Sequence, residues 1–238
     1  MKKVVLMTVS CFFSLCLVAQ KPLKQVTPLL KNLLDSFSYA AGYNVATNMM
    51  QQNISKVNMF IYKKAMEDVF ANKKSLLTQQ EISMSLQFQL EAFRKEKLKN
   101  EKAKGAIFLT ENKKQKGVVV LPNGLQYQII KSGEATAPMP TAIQGKEDSV
   151  VVNYIGMYID GVEFENSYKN GRVATFKITN VIRGWTQILQ LMRIGDKWKV
   201  FILSDLAYGD EGKNGKFGGS TLVFEISLEG INPFVPKQ

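Results

Sequence analysis

The run Val150-Val151-Val152-Asn153-Tyr154-Ile155-Gly156-Met157, followed by Asp160-Gly161 and then Val162-Glu163-Phe164-Glu165-Asn166-Ser167, decides the fold. β-Branched and aromatic residues dominate the first stretch. An Asp-Gly pair between two such runs is a tight hairpin signal, because glycine takes the positive φ that a two-residue turn requires. Short runs of the same kind recur on both sides, at residues 118–121, 126–131, 173–178, 198–203 and 221–228, with Gly and Pro between them. Only one segment among them has a helical period: Trp185, Ile188, Leu189 and Met192 fall on one face. The C-terminal half therefore reads as an α+β domain, a twisted antiparallel β-sheet with one short α-helix across it.

Upstream the period is helical. Thr78-Gln79-Gln80-Glu81 is a capping box, and no proline follows until well past Asn112. A helix of roughly 35 residues, about 50 Å long, is expected there. Ile82, Leu86, Leu90 and Phe93 line its first part, whereas its second half is almost wholly charged. A face of that kind has little to bury, so the second half is expected to stand in solvent as an arm between two lobes, with a partly disordered linker as the alternative. Between Pro28 and Asn72 the apolar positions Leu30, Leu33, Leu34, Phe37, Tyr43, Val45, Met49 and Met50 suggest two short helices packed together. Gly42 and Asn53 stand where a turn or close helix contact is expected, and Ile61, Ala65, Val69 and Phe70 form a further amphipathic stripe.

The first residues, Met1-Lys2-Lys3, then an apolar stretch from Val4 to Val18, then Ala19-Gln20, have the order and size of a secretory signal peptide, residues 1–20. An N-terminal anchor is the alternative, although the stretch is short for a span. Cys11 and Cys16 both lie inside it, so cleavage leaves no thiol for disulfides or catalysis; a lipoprotein reading at Cys16 is a minor alternative. Histidine is absent. That removes the usual general base and the commonest zinc ligand, and no metal or cofactor is expected. The formal charge of +11 is spread through lysine runs without interleaved aromatics. Such runs read as a solvated face rather than a nucleic-acid site, with weak attraction to acidic membrane surfaces left open.

Taken in order, Val152-Asn153-Tyr154-Ile155-Gly156, residues 160–167, Val181-Ile182-Arg183-Gly184-Trp185, Leu206-Ala207-Tyr208-Gly209 and Leu222-Val223-Phe224 resemble the FKBP family of prolyl isomerases. Ser38-Tyr39-Ala40-Ala41-Gly42-Tyr43-Asn44, Phe108-Leu109-Thr110-Glu111-Asn112 and residues 121–127 resemble its macrophage infectivity potentiator class, exported bacterial FKBPs with a dimerising N-terminal domain. The resemblance implies a helical dimerisation domain at 21–76, a connecting helix at 77–116 and an FKBP-type domain at 117–238. It implies Trp185 as the floor beneath a substrate proline, with Tyr154, Phe164, Val181, Ile182 and Phe224 as walls. Tyr208 would donate its hydroxyl to a substrate carbonyl, the Ile182 amide would be a second anchor, and Glu165 stands where the family has aspartate. Phe176 is divided between core and pocket, and Phe217 is placed over the pocket.

Two departures bear on rate and substrate range. The family's Ile-Pro-Pro loop is here Lys216-Phe217-Gly218-Gly219, which glycine should loosen, and the proline of its Ile-Pro-Ser is Leu203. Rotation about an X-Pro bond crosses a barrier of about 18–20 kcal/mol without making or breaking a bond to hydrogen, so a chain without histidine is no worse equipped for it. The expected partners are proline-containing unfolded or partly folded polypeptides and a second copy of the chain through the N-terminal helices. The expected location is the periplasm, with outer-membrane association left open. The alternative function is a catalytically weak dimeric holdase that grips unfolded chains at two points.

Overall fold

The structure, a computed structural model, describes residues 29–143, 147–171, 173–213 and 218–234. The expected signal peptide, with Cys11 and Cys16, lies outside the described residues, as does Phe217. The chain divides into two compact units, Met1–Gln52 and Asn53–Gln238.

In the first unit, α1 (Leu33–Gln51) is capped by Asn32, whose side chain accepts from the Asp35 N–H. It is one helix rather than the expected two short ones. Gly42 sits in its interior with nothing near the place a Cβ would occupy, so it makes neither a turn nor a close contact. A lone glycine costs a helix only about 1 kcal/mol, and no proline stands beside it to break the ladder. None of the residues of α1 is buried within the chain.

The second unit begins with α2 (Met59–Phe70) and α3 (Gln79–Asn112). The capping box forms as expected: Thr78 Oγ1 accepts from the Glu81 N–H, and the Glu81 carboxylate accepts from the Thr78 N–H at 2.7 Å. The strands are β1 (Val118–Val120), β2 (Gln126–Lys131), β3 (Ser149–Tyr158), β4 (Glu163–Asn166), β5 (Ala174–Lys177), β6 (Lys197–Ile202) and β7 (Leu222–Asn232), with α4 (Arg183–Leu189) between β5 and β6. They form an antiparallel sheet in the order β1-β2-β6-β7-β3-β4, with β5 also beside β3. One edge of β3 is thus shared, residues 149–152 pairing with β5 and residues 155–157 with β4. At the join, the Tyr154 N–H donates to Ser167 Oγ and the Ser167 N–H donates to the Tyr154 carbonyl, both at 2.9 Å.

The short α4 buries Gly184, Trp185, Ile188 and Leu189 against the sheet, where Val152, Val200, Ile202, Ile226 and Leu228 are fully buried. Gly184 is required by this contact, since a Cβ there would lie 2.5 Å from Ile202 Cγ2. Met192 reaches the same core from just beyond the helix, which ends earlier than its apolar period suggested.

The charged half of α3 is not a free arm. Gly105 is buried and abuts Thr221 so closely that a Cβ would collide with its side chain. The Phe108 ring lies 5.9 Å from that of Phe201. The Gln126 amide donates to the Leu109 carbonyl, and the Asn112 amide donates to Gln126 Oε1, each at 2.9 Å. A narrow seat of this kind needs one missing side chain and a few polar bonds, not a broad apolar stripe.

Candidate active site

A cavity of about 550 Å³ opens between β3, β4, β5, the start of α4 and the loop after β6. Strand alternation sends Tyr154 of β3 and Phe224 of β7 to the α4 side of the sheet, where both are buried. Phe176 of β5, Val181 and Ile182 close one side, and Tyr208 stands opposite with Glu165. Beneath them lies Trp185, only 4% exposed. Its ring meets Tyr154, Phe176 and Phe224 edge-on, with centroids at 5.0, 6.0 and 5.3 Å and interplanar angles of 90°, 87° and 85°. Such T-shaped contacts are the favoured geometry for aromatic pairs and fix the indole from three directions. Its Nε1 has no hydrogen-bond partner among the described residues.

The polar groups are few. Tyr154 donates its hydroxyl to Glu165 Oε1 at 2.7 Å. Burial, then the bond to Glu165, pushes the Tyr154 phenol well above its ordinary value. Burial likewise raises Tyr208, helped by the nearby Glu165 charge and then by Tyr158. Both phenols therefore keep their protons and remain donors at neutral pH. Ile182 is the extended residue immediately before α4, with φ −61° and ψ 150°. The N–H at this position lies outside the helical ladder and can serve a ligand.

Tyr154, Glu165, Trp185, Tyr208, Val181, Ile182, Phe176 and Phe224 all line the cavity. Phe176 is half-buried on the cavity wall and also packs against the hydrophobic core. Phe164 is not on the cavity surface. It packs behind Phe224, ring centroids 5.7 Å apart, because Gly156 lacks a side chain: a Cβ there would sit 2.6 Å from Phe164 Cε2. Phe217 falls outside the described residues. Sequence reasoning missed Asn180, Arg183, Ala207, Gly212 and Lys213 as lining residues. Each neighbours a recognised position or a glycine turn, so adjacency was the available signal.

The two loop glycines differ from their expected role. Gly219 has φ +76°, and a Cβ on it would lie 2.6 Å from Leu98 Cδ1 of α3; one on Gly218 would run into the Asp210 carbonyl. The Gly219 N–H donates to the Gly209 carbonyl at 2.8 Å. Glycine is needed here for close approach rather than for slackness. Leu203, where the family has proline, keeps a proline-compatible φ of −63°.

Residues 141–229 match the family of FKBP-type peptidyl-prolyl cis-trans isomerases, and residues 34–129 match the domain amino terminal to it. The outer membrane protein MIP of Legionella longbeachae is 40% identical over 202 residues, which span 82% of this chain and 84% of that protein. The chain belongs to the FKBP-type peptidyl-prolyl isomerases, in the Mip class. Another FKBP, peptidyl-prolyl cis-trans isomerase Mip of Coxiella burnetii, is 32% identical over 229 residues, covering 91% of this chain and 94% of that one. The crystal structure of FkpA from Escherichia coli aligns with a TM-score of 0.64 at 34% identity, over 86% of this chain and 99% of the other. As an FKBP the chain is a prolyl cis/trans isomerase, with a helical N-terminal region and a C-terminal FKBP domain.

Proposed function

We propose that this FKBP isomerizes X-Pro bonds in exported polypeptides that have not finished folding, and that the cavity around Trp185 is where it does so. The observation that carries this is the right-angle aromatic cage, three rings set edge-on around one indole. A proline ring seated on Trp185 between Phe176, Tyr154 and Phe224 lies in an apolar, water-poor space. There the twisted amide, whose carbonyl has lost resonance, is favoured over the planar, more polar ground state. Val181 and Ile182 extend the wall along the chain, and Phe164 keeps Phe224 in place from behind. The Tyr208 hydroxyl and the Ile182 N–H anchor substrate carbonyls on either side of the turning bond. Glu165 holds the Tyr154 hydroxyl at the rim.

The wider organisation is part of the same reading: residues 21–76 dimerise, 77–116 connect, and 117–238 carry the isomerase. Leu33, Leu34, Phe37 and Tyr43 of α1 are 79%, 71%, 70% and 64% exposed within the chain, which supports a second copy as their cover. The signal-peptide-like order of residues 1–20 and the name of the Legionella relative support export to the periplasm with outer-membrane association. No helix among the described residues is long and apolar enough to cross a membrane.

The test is turnover of a proline-containing peptide and of a protein whose refolding is limited by proline isomerization. Acceleration of both by the wild type, lost on Trp185→Ala in a protein that still folds, supports the reading. Acceleration that survives this substitution refutes the site assignment.

A further inference from the structure

The cavity wall carrying Tyr208 is a loop, residues 204–213, that leaves β6 through a turn of 3₁₀-helix (Ser204–Leu206). It contains two glycines at positive φ, Gly209 at +64° and Gly212 at +71°. Within the loop the Ala207 and Gly209 N–H groups donate to the Ser204 carbonyl at 2.9 Å, and from beyond it the Gly219 N–H donates to the Gly209 carbonyl and the Arg183 guanidinium to the Asp205 carbonyl. A backbone of that kind bends easily, and a displaced hydroxyl is a poor anchor.

Those bonds hold its backbone at Asp205 and Gly209; the acidic side chains around Tyr208 are held by α3. Lys102 Nζ lies 2.5 Å from Asp210 Oδ1 and 3.9 Å from Asp205 Oδ1, so one ammonium faces carboxylates on both sides of Tyr208. Asp210 beside it raises the Lys102 pKa, which keeps the ammonium charged. About two helical turns away, Arg94 pairs with Glu211 at 3.0 Å while also held by Glu91 on its own helix. Between them Leu98 meets Gly219, and further on Gly105 meets Thr221. Positions 94, 98, 102 and 105 are spaced by three and four, a single face of the helix laid along the loop.

We infer that Lys102 is a positioning residue of the isomerase site, acting through Asp205 and Asp210 to set where the Tyr208 hydroxyl stands; the inference rests on the reading of Tyr208 as a substrate anchor. The Lys102 and Asp210 side chains are 41% and 46% exposed, so the pair adds little to stability. Its effect falls on the geometry of a pliable loop and hence on turnover.

The test measures kcat and KM on a prolyl peptide at low ionic strength, using the full chain, for the wild type, Lys102→Met, Lys102→Arg, Tyr208→Phe and the double variant Lys102→Met/Tyr208→Phe. Lys102→Met is expected to lower kcat/KM by roughly 3- to 10-fold, well inside the loss a misplaced group can cause. Lys102→Arg restores most of it. In the Tyr208→Phe background, Lys102→Met has no further effect, which a merely structural lysine would not produce. Wild-type turnover in Lys102→Met, or an equal further loss in both backgrounds, overturns the inference while leaving the site reading intact. Unchanged turnover in Tyr208→Phe itself overturns the site reading and this inference with it.

Discussion

The indole of Trp185 stands at 90° to the ring of Tyr154, their centroids 5.0 Å apart, and holds nearly the same relation to Phe176 and Phe224. One side chain therefore sets three walls of the cavity. Trp185→Ala is expected to lose about 3–5 kcal/mol of stability because it leaves a void, so Trp185→Phe is the sharper probe. It keeps an aromatic floor but shortens it, and kcat/KM should fall at least about 10-fold, a loss on the order of 1.4 kcal/mol in transition-state binding. Urea unfolding of the same variant separates this loss from any change in folding.

The seat of α3 on the sheet can be tested at Gly105. In an exposed helix Gly→Ala stabilises by about 1 kcal/mol, but here the new methyl runs into Thr221. Overpacking of this kind costs about 1–3 kcal/mol, so Gly105→Ala should lower the urea midpoint. Adding Thr221→Ala removes the opposing hydroxyl and should recover most of the loss. A midpoint that rises on Gly105→Ala alone would mean that the helix does not sit there.

The pH profile follows from the groups that line the cavity. No histidine is present, and both Tyr154 and Tyr208 are raised above the ordinary phenol value. Turnover should be flat between about pH 5 and pH 9, since neither phenol loses its proton there. For stability the sign is alkaline. Unfolded tyrosine ionises near pH 10 while the folded residue holds its proton. Stability from the two phenols is thus fully present below about pH 10 and is lost as pH rises beyond it. Unfolding free energies measured from pH 7 to pH 11 check this, and a bell-shaped rate profile centred near neutrality would contradict it.

The face of α1 makes a separable prediction. Leu33→Glu with Phe37→Glu places charge on its exposed apolar surface, and sedimentation is expected to show a dimer for the wild type and a monomer for this variant. Peptide turnover should not change, because the cavity lies wholly within residues 154–224.

Much of this was legible in the chain. The Asp160-Gly161 hairpin, the Thr78-Glu81 capping box, and Trp185 and Tyr208, each beside a glycine, are local signals; Tyr154 and Phe224 were picked out by their place in the family's order of motifs. What was not legible depends on partners distant in sequence. Gly42 resembles a break, yet α1 runs through it; nothing local distinguishes a tolerated glycine from a turn. Phe164 was placed in the cavity because its retreat depends on the hollow at Gly156, across the hairpin. Gly218 and Gly219 suggested slackness because neither the Asp210 carbonyl nor Leu98 is near them in sequence. The docking of α3 was hidden because its charges resemble solvent-facing ones until their partners at Asp210 and Glu211 are known.

The shared edge of β3 has a final consequence. Because β5 and β4 take separate portions of it, the ladder has a seam at Tyr154, sewn by the two bonds to Ser167. The segment from Ser167 to β5 crosses that seam without belonging to either ladder. Its length and composition can therefore change over generations without unpairing a single strand, provided the stitch at Ser167 survives.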